Sequence, residues 1–252
     1  RSDSDPQALA AYRASSLATR RFTWLMALAR TNDGLLACNL REPSAALYKF
    51  ALDGSMDELA TAPVLADYGE GFKKCAVHQQ TQRTYALTET DEGNHALALL
   101  DANLQAIATV EATGDVPEDF DDDDDYVPIR DVAVHGDQVI VLTSDFHDKG
   151  SGLRLLDLDG RFLRTIAAGQ FQNPYAVAAS HGRAFVIDDA ATGPLDEKVL
   201  FVIDIQSGDI IQRVRVDLGG EASAMIVDGN EIFIAGYGHS GVVVLQFAGS
   251  EV

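Results

Sequence analysis

A five-bladed β-propeller, all-β and built from four-stranded antiparallel blades, is the architecture that the 252-residue sequence predicts. Three observations lead there. Short apolar runs recur in groups of three or four, the group occurs five times, and the runs are separated by Gly, Asp and Asn. Each group opens with two runs joined by a tight polar turn: residues 24–39, 74–88, 129–144, 175–188 and 223–237. Third runs follow at 46–52, 96–102, 153–158, 199–205 and 242–247, and fourth runs at 58–64, 106–112, 162–167 and 210–216. Counted from Ala29, Val77, Val134, Ala179 and Val227, the groups stand 48, 57, 45 and 48 residues apart.

Runs this short, often β-branched and bounded by turn residues, are strands rather than helices. Four of them repeating every ~40–50 residues is the signature of one propeller blade per repeat. The expected blades are about 23–66, 67–126, 127–170, 171–218 and 219–252. Inner strands covered on both faces read as continuous apolar runs, whereas outer strands alternate. Arg213-Val214-Arg215-Val216 alternates in this way and places its arginines toward solvent. The fifth group lacks a fourth run. The segment 1–22 is therefore expected to hold a short helix, with Asp5 as N-cap and Pro6 at its first position, followed by a closing outer strand at 15–22 that removes a sheet edge. Six blades are expected if the chain is truncated. The start at Arg1 fits processing or trimming upstream, and the expectation is a secreted or periplasmic protein.

Composition narrows the function. There are 39 acidic and 19 basic residues, giving a formal charge of −20. That field repels phosphate backbones and argues against nucleic-acid binding. No apolar run approaches the ~20 residues of a membrane-spanning helix. Two cysteines, Cys38 and Cys75, are too few for a disulfide framework or an all-Cys zinc site. They read as free thiols filling core space, with an inter-blade disulfide as the alternative.

Several recurring polar residues have a structural explanation. Asp53-Gly54, Asp159-Gly160 and Ser207-Gly208 fall at third-to-fourth turns, where Gly supplies positive φ. Asp101, Asp157 and Asp204 form a column just before those turns and read as side chains that satisfy backbone groups. His135-Gly136, His181-Gly182 and Asp228-Gly229 fall at first-to-second turns and read as surface turn residues.

Chemistry is expected at the opposite end of the blades, which carries every long connection. Residues 115–125 contain eight acids among eleven residues, and five consecutive aspartates repel one another and favour a solvated loop. The alternative is calcium, a hard cation suited to several carboxylates, with Asp121 and Asp123 as ligands. The second-to-third loops add Asp145, His147, Asp188 and His239. The starts of the first strands add Lys73, Arg130, Asp131, Asn173 and Tyr175. Asp145, Asn173 and Asp188 are further candidate ligands for a divalent cation. Lys73, Arg130, Asp131, Tyr175, His147 and His239 are candidates to line a ligand site at the channel mouth.

The fourth group, Gln172-Asn173-Pro174-Tyr175-Ala176-Val177 followed by Phe185-Val186-Ile187-Asp188, resembles an NHL repeat: a Pro precedes a short apolar strand, and a second strand ends in Asp. The third group, with Pro128, Val132, Val134 and Val139, is similar but ends in Thr143-Ser144-Asp145. The chain is similar too to the senescence-marker/gluconolactonase and paraoxonase-like propellers. That resemblance implies calcium on the channel axis held by Glu, Asn and Asp, with Asn173 and Asp188 as the nearest counterparts. No serine-hydrolase elbow, phosphate-binding Gly-rich loop or His-Glu-x-x-His motif is present. The favoured reading is a non-catalytic binding or assembly module whose acidic loop face takes a protein, a small ligand or a cation. The rival is a calcium-dependent hydrolase of the lactonase or phosphotriesterase kind.

Overall fold

The computed structural model describes residues 25–39, 46–51, 58–63, 71–89, 95–111, 129–144, 151–189, 198–218, 221–237 and 242–247. Among them are five antiparallel sheets and no helix, hence no helix long and apolar enough to cross a membrane. The first sheet is β1 (Leu25–Arg30), β2 (Gly34–Asn39), β3 (Ala46–Ala51) and β4 (Glu58–Pro63). The second is β5 (Phe72–His78), β6 (Arg83–Glu89), β7 (His95–Leu100) and β8 (Ala106–Glu111). The third is β9 (Ile129–His135), β10 (Gln138–Thr143), β11 (Gly152–Asp157) and β12 (Phe162–Ile166). The fourth is β13 (Pro174–Ser180), β14 (Arg183–Asp189), β15 (Lys198–Asp204) and β16 (Ile210–Val216). The fifth is β17 (Glu221–Asp228), β18 (Glu231–Tyr237) and β19 (Val242–Gln246). In every sheet the strands lie side by side in chain order. The expected helix and closing strand within 1–22 lie outside the described residues.

The chain divides into two compact units, Arg1–Val110 and Glu111–Val252. Within each unit, neighbouring sheets meet through their first strands: β1 against β5, β9 against β13, and β13 against β17. The fourth sheet shows why its strands carry unbroken apolar runs. Val177, Ala184, Val186, Phe201 and Ile203 face the third sheet, packing with Ala133, Ile140, Leu142, Leu153 and Leu155. The intervening residues Ala176, Ala178, Phe185, Ile187, Leu200 and Val202 face the fifth sheet and its Met225, Ile232 and Ile234. Both faces of the sheet are therefore core. In the first unit one cluster joins Leu36, Cys38 and Leu47 of the first sheet to Phe72, Ala86, Ala98 and Leu100 of the second. Both cysteines are free thiols; Cys38 is buried in this cluster and Cys75 is half-buried against it.

The tight turns have the chemistry their residues dictate. Asp101 Oδ1 accepts the amides of Asn103 and Gln105, each at 2.8 Å. Asp157 Oδ1 accepts those of Asp159 and Arg161 at 2.9 and 2.8 Å, and Asp204 Oδ1 that of Ser207 at 2.7 Å. The Asp column thus satisfies the backbone of each turn, and the Ser207 amide holds the Asp204 carboxyl below the ordinary carboxylate range. The same ends of the sheets are also stitched to their neighbours. Asn32 of the first sheet bonds Gln82 Oε1 and the Gln79 carbonyl of the second. The buried Lys49, paired with Asp33 at 2.8 Å, reaches the Ala102 carbonyl. In the second unit Arg164 donates to the carbonyls of Ile205 and Gln206 at 2.6 and 2.7 Å. Arg213 and Arg215 are exposed and Val216 is buried, and the Arg213 guanidinium lies over the Phe201 ring. This is the alternation expected of an outer strand.

The two turn histidines are not equivalent. His135 is the last residue of β9 and pairs with Gln138, whereas His181 lies in the two-residue turn between Ser180 and Arg183. His135 Nε2 also accepts the Gly182 amide of the next sheet at 3.0 Å, so it is a joint between blades as well as a turn residue.

Candidate functional site

The candidate site lies where each first strand begins, the end from which the long connections leave. One irregularity recurs there in all five sheets. Leu25 pairs with Asn39 but Ala27 pairs with Cys38, leaving Met26 as an extra residue. The same register shift leaves Lys73 extra in β5, Arg130 in β9, Tyr175 in β13 and Ser223 in β17. Each is a β-bulge, which sets two residues against one on the partner strand and re-aims a side chain. The residue before the bulge is apolar in every case: Leu25, Phe72, Ile129, Pro174 or Ala222. Phe72, Ile129, Pro174 and Ala222 are buried and anchor their strands, and the next residue is turned out of the ladder's alternation.

In the second unit the bulges carry an ordered polar network. Arg130 Nε donates to Ser144 Oγ at 2.6 Å, tying the bulge to the end of the second strand. Asp131, next in the chain, is buried; it accepts the Val132 amide at 2.9 Å and the Val177 amide of β13 at 3.0 Å. It joins two first strands. Asn173 Nδ2 donates to the Tyr175 hydroxyl at 3.1 Å, and the Asn173 carbonyl accepts the Asp189 amide at 3.0 Å. Asp188 is 1% exposed and accepts the amides of Gln172 and Asn173, the latter at 2.7 Å. Burial pushes its carboxyl above the ordinary range, against the opposing pull of those amides. Lys198 and Asp189 pair at 2.6 Å beside it. Thr88 occupies the matching place in the second sheet and donates to the Gly71 carbonyl at 2.9 Å.

The structure therefore brings together Asn173 and Asp188 of the candidate metal set, and Arg130, Asp131 and Tyr175 of the candidate ligand set share one sheet end with them. Lys73 occupies the equivalent bulge in the first unit. Asp121, Asp123, Asp145, His147 and His239 lie outside the described residues. The Asp188 carboxylate is directed at backbone amides that shape the entry to β13. Among the described residues no three His, Cys, Asp or Glu side chains gather as a metal site. Met26, Ser144 and Ser223 were not singled out by the sequence. The only signal for the bulges is their place directly after an apolar residue at the start of each first strand.

The chain matches no protein-family model and no curated protein. Solved structures do match. The Dos1 propeller is similar at 11% identity and TM-score 0.52, over 85% of this chain and 53% of that one. Hydrazine synthase of Kuenenia stuttgartiensis is similar at 13% identity and TM-score 0.58, over 90% of this chain and 64% of that one. A chain of a nidogen/laminin complex is similar at 10% identity and TM-score 0.52, over 85% and 89%. The chain spans about half the length of the Dos1 chain and under two thirds of the hydrazine synthase chain. Together with five meandering sheets in chain order, these likenesses show the fold: the protein is a five-bladed β-propeller.

Proposed function

We propose that the protein is a non-catalytic binding module that presents the bulged ends of its first strands, with the loops beside them, to a protein or small-ligand partner. One observation carries this reading. The bulge is constant in all five sheets, while the residue on it is Met, Lys, Arg, Tyr or Ser. A constant backbone device with a changing side chain is what a recognition surface on a rigid scaffold needs. The hydrogen bonds around Arg130, Asn173 and Tyr175 hold those side chains in place, which reduces the ordering cost of binding. The named neighbours include an assembly of two proteins, the nidogen/laminin complex, and an enzyme, hydrazine synthase. Fold alone does not choose between such roles.

The test compares wild type with three variants in quantitative capture from cell extract: Arg130→Glu/Tyr175→Ala, Lys73→Glu, and Asn230→Ala at the opposite end. A partner retained by wild type and Asn230→Ala, and lost from at least one bulge variant, is the expected result. Equal capture by all four sinks the reading. So does calcium-dependent turnover of a lactone or phosphotriester by the wild-type protein.

A further inference from the structure

We propose that His135 is a pH-operated latch between the third and fourth blades, its neutral imidazole holding the β13–β14 turn and its protonation releasing it. The Gly182 amide can only donate, so the Nε2 that accepts it at 3.0 Å carries no proton and the ring is the neutral Nδ1–H tautomer. Adding a proton at Nε2 replaces an acceptor with a donor and turns the contact repulsive.

The turn it holds is a poised element. His181 and Gly182 both have positive φ, 51° and 70°, a conformation that a residue with a Cβ adopts at a cost. Two other contacts keep the turn in place. The Gly182 carbonyl accepts the Ile205 amide at 3.0 Å, and the His181 ring meets the Phe247 ring of the fifth blade edge-on, with centroids 6.1 Å apart. One protonation therefore acts on a turn that touches three blades. The bond from the Val177 amide to Asp131 also ties β13 to β9, but it holds the middle of β13 and does not reach the Gly182 turn.

His181 acts on the His135 ring across the joint; Asp137 lies two residues on in the same turn, Arg183 directly follows the bonded Gly182, and Asp204 pairs opposite Arg183. Burial, and secondarily the positive charge His181 can acquire, hold the His135 imidazole below the usual histidine value of 6.5. Because the folded value is depressed, the latch is closed above about 6.5 and opens as pH falls through the folded value.

The experiment follows Gly182 amide exchange and the His135 ring resonances by NMR on the full chain from pH 8 to 5, correcting for intrinsic exchange. Protection of Gly182 is expected to fall at least tenfold on the acid side, in step with a His135 midpoint below 6.5. In His135→Gln, which keeps an acceptor that does not titrate, protection should stay flat. In His181→Asn the His135 midpoint should rise, because the neighbouring charge is gone. Unchanged Gly182 protection in wild type overturns the proposal, as does an equal fall in His135→Gln or a His135 midpoint at or above 6.5. The wild-type measurements decide the matter alone if the Gln variant does not fold.

Discussion

At the scale of single residues, a carboxylate's role here depends on how far away its donors lie in the chain. Asp101, Asp157 and Asp204 bond amides two to four residues on, so hairpin chemistry made them readable from spacing alone. Asp188 bonds amides that precede it by fifteen and sixteen residues, and nothing local marks that link. Its folded pKa is raised by burial, so its contribution to stability is full below the unfolded value of 3.8 and is lost as pH rises through the folded value. Asp188→Asn keeps one oxygen acceptor and removes the buried charge. It is expected to lie within about 1 kcal/mol of wild type at pH 7 and to flatten the loss of stability above pH 3.8. Asp188→Leu leaves the Gln172 and Asn173 amides unpaired, at about 1–3 kcal/mol each. Urea unfolding at several pH values checks both. Equal destabilisation by Asn and Leu would mean that the charge itself is required.

At the scale of elements, strand positions were legible nearly to the residue. The expected runs 46–52 and 210–216 are the strands Ala46–Ala51 and Ile210–Val216. Turn residues bound each run, and five repeats of the pattern reinforce one another. The bulges were not legible. A bulge shifts the phase of alternation, but the first strands, such as Phe72–His78 and Ile129–His135, mix charged and apolar residues without a regular alternation in which a shift could be read. In β19 the phase is visible: Val242 and Val244 are 57% and 48% exposed, while Val243 and Leu245 pack on the core. Leu245→Ala is therefore expected to cost about 2 kcal/mol or more, and Val244→Ala less than about 0.5 kcal/mol, by thermal or denaturant unfolding. A cost above 1 kcal/mol at Val244 would contradict its solvent-facing assignment and show that a further segment covers β19.

At the scale of the whole molecule, charge dominates. A formal −20 on 252 residues opposes compaction through self-repulsion, which added salt screens. Raising NaCl from about 0.02 to about 0.5 M should raise the melting temperature by roughly 2–4 °C, the equivalent of ~1 kcal/mol for a chain of this size. A flat or falling midpoint would mean that the acids are already neutralised within the fold. The fold class was legible because repetition multiplies a weak local signal. The candidate site was legible only as a region. Which side chains meet depends on the register of strands far apart in sequence, and register is what the bulges alter.

Those bulges have a consequence for how the protein can change. A side chain set outside the ladder does not decide which strand pairs with which, so its identity is not fixed by strand register. Exchanging Met26, which is 37% exposed, for another residue changes what that strand end carries while leaving the strand pairing of the blade intact. If the bulged ends take a partner as proposed, a lineage could alter that partner by single substitutions that leave the register of the strands unchanged.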